Sequence, residues 1–144
     1  MSSPILEPAA VLALWSMVVL AWFTAARFAA VSRLPKDQLR ELSKAGTRGA
    51  DLERVLPERA NWTSHNYTHL MEQPTVFYAV VLILAVAGAG AGTNAALAWA
   101  YAGLRVAHSL WQGTVNRLPL RMFLFAASSL CLIALAVNAV RATL

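Results

Sequence analysis

The chain has 144 residues, 58% of them hydrophobic and only 13% charged, with a formal net charge of +5 and a mean hydropathy of +0.54. Soluble domains run at about 45–50% apolar and about 25% charged residues, so the balance argues against a water-soluble domain and for one membrane unit over residues 1–144. The single cysteine, Cys131, excludes an intrachain disulfide framework.

In chain order, the first apolar segment runs over about 9–31, AAVLALWSMVVLAWFTAARFAAV, and at about 1.5 Å per residue it is long enough to span a bilayer. MSSPILEPAA before it carries no positive charge, and basic residues follow it. That is the wrong polarity for a cleavable signal, so the segment reads as a retained anchor. Residues 32–60 mix both charge signs, with helical stretches broken at Ala45-Gly46 and Leu56-Pro57. They read as a solvated loop capping one mouth of the bundle. A second apolar segment occupies about 61–87, a third about 94–113 and a fourth about 118–140. Between the second and third, AGAGAGTN has no preceding strand and no following Lys-Ser/Thr, so it is a tight turn and not a phosphate cradle. The expectation is an all-α integral membrane bundle of four transmembrane helices.

Loop charge sets the expected orientation. Arg27, Arg33, Lys36, Arg40, Lys44, Arg48, Arg54 and Arg59 make up eight of the twelve Lys and Arg residues, Arg117 and Arg121 flank the last turn, and AGAGAGTN carries no charge. The positive-inside rule then places residues 32–60 and the last turn in the cytoplasm and both termini outside. The positive charge reports topology and attraction to lipid headgroups, and it needs no nucleic acid to explain it. The acceptor patterns Asn61-Trp62-Thr63 and Asn66-Tyr67-Thr68 fall on the same side and are set aside as glycosylation sites.

The polar residues inside the apolar segments fall on helical stripes. In the third segment Arg105, His108, Ser109 and Gln112 stand at i, i+3, i+4 and i+7. In the second, His65, His69 and Glu72 share a face, with Asn66 and Gln73 alongside, and Arg117 and Arg121 are one turn apart at the start of the fourth. All lie toward the same end. A charge at mid-membrane facing lipid costs roughly 2.5–3.5 kcal/mol, so these residues are expected to face a bundle interior or a wet cavity. Glu72 is the natural counter-charge for Arg105, and a helix clamp is the simplest use of that pair. The excess of arginine over carboxylate points further, to a cavity for an anionic polar ligand.

Two motifs carry a family resemblance. Arg59 followed by NYTHLMEQPTVFY, and RVAHSLWQGTVNRLPLR, resemble the signature helices of the membrane-associated proteins in eicosanoid and glutathione metabolism, the MAPEG family. The resemblance spans the chain and is that of a bacterial member. It implies a homotrimer in the inner membrane, with glutathione as cofactor at each subunit interface on the cytoplasmic side. It further implies that Arg59 and Glu72 contact the peptide, that Arg105 and His108 line the site, that Arg117 sits near the cofactor, and that Arg121 activates the thiol. A guanidinium beside a thiol favours the thiolate, at about 1.4 kcal/mol per unit of lowered pKa. The implied activity is a glutathione transferase or peroxidase acting on lipophilic electrophiles or peroxides that enter from the bilayer.

The sequence departs from the family pattern at several points. His69 stands where an Asn is expected, with Asn66 one turn earlier able to take its place. Gln112, Met122 and Phe125 lack hydroxyls found there in some members. Two other readings stay open: a non-catalytic protein binding lipid or a partner through its basic face, and a metal enzyme using His65, His69 and Glu72. The neighbouring arginines argue against the metal.

Overall fold

The computed structural model describes residues 3–44 and 46–144. Every element within them is helical: α1 (Leu6–Val31), α2 (Lys36–Leu42), a 3₁₀ turn at Gly49–Arg54, α3 (Glu58–Val86), α4 (Thr93–Thr114) and α5 (Leu118–Thr143). The expected loop break at Ala45-Gly46 falls partly on Ala45, which lies outside the described residues, as do Met1 and Ser2.

Prolines and left-handed residues set the boundaries. Pro35 and Pro57 stand in extended backbone immediately before α2 and α3, and a proline occupies the first turn of α5, where its missing N–H leaves no helical bond unmade. Gly88 (φ 71°) and Gly92 (φ 60°) turn the chain between α3 and α4. Asn116, at φ 53°, ends α4, and its N–H bonds back to the Trp111 carbonyl at 2.8 Å.

Of these helices, α1, α3 and α5 are long and apolar enough to cross a membrane. The 22 residues of α4 reach the required length, but its polar stripe dilutes the apolar content. It nonetheless runs the full height of the bundle. At one end Ile5 N–H donates to the Gly90 carbonyl at 3.0 Å and Asn138 Nδ2 to Asn94 Oδ1 at 2.7 Å. At mid-height Trp15 Nε1 donates to Ser109 Oγ at 3.0 Å and Gln73 Nε2 to Ser129 Oγ at 2.8 Å. At the other end, which carries the long loop, the Trp22 ring packs against Gly113 and Arg27 Nη2 lies 3.4 Å from Ser64 Oγ. Consecutive long helices are therefore antiparallel. α4 packs on α5, α3 and α1, while α1 packs chiefly on α3.

The core gathers Leu12 and Val19 of α1, Phe77 and Leu84 of α3, Tyr101 of α4 and Leu135 of α5. The Phe77 and Tyr101 rings stack with centroids 4.3 Å apart. The outside is as apolar as the inside: Leu14 and Leu130 are each 68% exposed and Phe123 65%. In water such a surface would aggregate, whereas against lipid it is what a spanning helix requires.

The loop joining α1 to α3 is tied down at the loop end. Asn61 Nδ2 donates to the Glu53 carbonyl at 2.9 Å, His65 Nε2 lies 3.2 Å from Glu53 Oε2, and Leu56 is buried. Arg27 lies under this cap, over the Phe23 ring at 4.8 Å, and does not reach outward along the helix.

Candidate functional site

The stripe of α4 is buried along its length. Arg105 and Ser109 are fully enclosed, and His108 and Gln112 nearly so. Ser109 is held by Trp15 of α1, while the Arg105 side chain turns toward α3 and α5. Its Nη2 donates to the backbone carbonyl of His69 at 2.7 Å. A helical carbonyl oxygen has a second lone pair, so it accepts this bond beside its own helical one.

Phe125 of α5 is the hub of the cluster. The Arg105 guanidinium carbon lies 5.9 Å from its ring centroid, the His69 ring 6.0 Å and the His108 ring 6.4 Å, and the two histidine rings meet edge-on at 5.6 Å. Arg121 stands one turn before Phe125 on the same face of α5. Asn116 Oδ1 accepts from its Nη1 at 2.8 Å, so the residue that ends α4 also aims an arginine in the first turn of α5.

Hydrogen-bonding capacity is left over at this end. Arg105 Nε and Nη1, both polar atoms of the Asn66 side chain and Gln112 Oε1 are all buried without a protein partner. Each such group costs about 1–3 kcal/mol, and more when charged. A fully enclosed guanidinium with two bare nitrogens calls for oxygen acceptors, and an anion best of all.

The expected Glu72–Arg105 pairing is not formed. Glu72 faces outward on α3, with Oε2 3.4 Å from Nδ1 of His69, and Arg105 takes a backbone carbonyl instead. The reason is helical phase: the His69 carbonyl points at α4, while the Glu72 carboxylate leaves α3 on its exposed side. The structure thus brings together His69, Arg105, His108 and Arg121 around Phe125, with Glu72 at the edge. Asn66 and Gln112 are buried nearby, toward α1, where a Cβ added to Gly113 would lie 3.3 Å from Asn66 Nδ2. Arg59 is not in this group. It lies on the first turn of α3, about 15 Å along the helix from His69, in a separate cleft. Arg117 is exposed, and its carbonyl accepts from Trp111 Nε1 at 3.0 Å. His65 turns to Glu53, and no group of three His, Cys, Asp or Glu side chains able to hold a metal occurs among the described residues.

A family model, that of the MAPEG family, matches residues 5–141 of the 144. The chain belongs to the MAPEG family. Comparison with curated proteins and with solved structures finds no match. Membership makes this an integral, multi-pass membrane protein within the broad sphere of glutathione and eicosanoid metabolism.

In this MAPEG chain, the roles of two residues in the cluster are not apparent from the sequence alone. Asn116 has a visible signal, an Asn between two helices ahead of a Pro, which suits a left-handed helix stop but does not announce a bond to Arg121. Phe125 stands out in the sequence only as a position without the hydroxyl of some family members. Its central place appears only once α3, α4 and α5 are packed.

Proposed function

We propose that this MAPEG protein binds glutathione at the loop end of a four-span protomer and activates its thiol, as a transferase or peroxidase acting on lipophilic electrophiles or peroxides. The observation that carries the reading is Arg105, a fully buried guanidinium with two bare nitrogens and no carboxylate paired to it among the described residues. An anionic peptide supplies the missing oxygens, so the residues present suit the ligand. Glutathione, when bound, contributes a thiolate that attacks an electrophilic carbon or a peroxide oxygen. Arg121 lowers the energy of that charge, and Asn116 fixes the guanidinium. Phe125, with the His69 and His108 rings, excludes water and strengthens the electrostatic effect. Glu72 is the partner for an amino group.

The exposure of Glu72 supports a homotrimer. It sits midway along a membrane-crossing helix, and a carboxylate there facing lipid costs roughly 2.5–3.5 kcal/mol. A neighbouring copy covering that face, with glutathione between protomers, removes the cost. Positive-inside charge supports a cytoplasmic placement of the loop end and an inner-membrane protein with both termini outside. The absence of hydroxyls at Met122 and Phe125 favours a second reading, a protein that binds a ligand or lipid without catalysing a reaction.

Calorimetric titration of glutathione into the detergent-purified protein tests the placement. Saturable binding in the wild type, weakened at least tenfold in Arg105→Met, is the expected result. Equal binding in the two proteins would move the site elsewhere.

A further inference from the structure

A cleft lined by two arginines does not touch the Arg105 cluster. It has a volume of about 440 Å³, within the usual range of small-molecule sites, and opens at the loop end between the last turns of α1 and the first turns of α3. Its walls are apolar, with Trp22, Ala26, Ala30 and Val55 among them, and it is lined by Arg33, just past α1, and by Arg59 of α3. No carboxylate lines it, and among the described residues neither arginine forms an ion pair. Both arginines are exposed.

We propose that this cleft is a site for one anionic phospholipid of the leaflet on the loop side. Arg33 and Arg59 would clamp the phosphate, and the first acyl methylenes would lie along Trp22 and the alanines of α1. Three observations favour a lipid over a soluble anion. The cleft lies at the level where spanning helices give way to charged loop, its lining below the arginines is apolar, and the alanine side of α1 is short enough to admit a chain. A small polar anion would leave that apolar wall unused. Two guanidiniums without carboxylates select an anionic headgroup over a zwitterionic one, whose choline would meet a second positive charge. The proposal is independent of the glutathione reading and stands if that reading fails.

Native mass spectrometry of the full-length protein, released from detergent doped with phosphatidylglycerol or phosphatidylcholine, tests it. The expected result is one phosphatidylglycerol retained per protomer, at least tenfold less in Arg33→Ala/Arg59→Ala, and unchanged in Lys36→Ala/Arg40→Ala, which removes the same charge outside the cleft. Ala26→Leu keeps both arginines and narrows the cleft, and it should also reduce retention. It serves as the deciding variant should the double alanine protein not fold. Equal retention in the cleft and control variants would overturn the proposal. So would equal retention of phosphatidylcholine, or displacement of the lipid by millimolar inorganic phosphate, which would make the cleft a soluble-anion site.

Discussion

Arg105 is the most consequential single residue in the molecule, because its burial leaves two guanidinium nitrogens without a partner. Replacing an incompletely paired buried charge with an apolar side chain of similar length is often neutral or stabilising. In the absence of glutathione, Arg105→Met is therefore expected to keep or raise the thermal midpoint while losing the upward shift that glutathione gives the wild type. Collapse of the variant without ligand would instead make Arg105 a structural clamp. Asn116 acts at the same scale through its neighbour. Asn116→Gly keeps the left-handed stop but removes the acceptor for Arg121, so folding should persist while the thiolate signal of bound glutathione weakens severalfold. An unchanged signal would mean that the turn alone sets the arginine.

At the scale of the helix, α4 decides the arrangement. Its polar stripe was legible in the sequence, since the spacing of Arg105, His108, Ser109 and Gln112 fits one helical face, and all four side chains are buried. What they meet was not legible. Spacing within α3 puts Glu72 near the right height for Arg105 but does not give the phase that sends its carboxylate outward, and no side-chain pattern announces the backbone carbonyl of His69 as the acceptor. Arg59 shows the same gap in another form. It belongs to the family-like motif by sequence, yet it lies turns away from the cluster, in a cleft shared with Arg33, after a long loop whose course no local pattern dictates. Close packing is likewise a property of pairs of helices. Gly113 admits the Trp22 ring, and a Cβ there would collide with it. Gly113→Ala is expected to destabilise the protein by about 1–3 kcal/mol, measured by thermal unfolding in detergent, against near-neutrality for Gly103→Ala, which meets open space.

Across the whole molecule, the exposed faces of the spanning helices are largely apolar, and the Glu72 carboxylate stands among them at mid-height of α3. A solitary protomer in lipid would gain from losing that charge. A trimer whose subunits meet there would not. Glu72→Leu is expected to reduce the fraction of three-protomer particles seen by light scattering in detergent and to weaken glutathione binding together. A variant that assembles normally and unfolds at a higher temperature would show that Glu72 faces lipid.

The central claim is that the loop end of this bundle turns bound glutathione into a thiolate, and ultraviolet thiolate absorbance reads that state directly. Glutathione titrated into the purified protein should give a saturable thiolate band in the wild type and none in Arg121→Ala. A band of equal height in the variant would remove Arg121 from thiol activation, and no band in the wild type would contradict the claim itself.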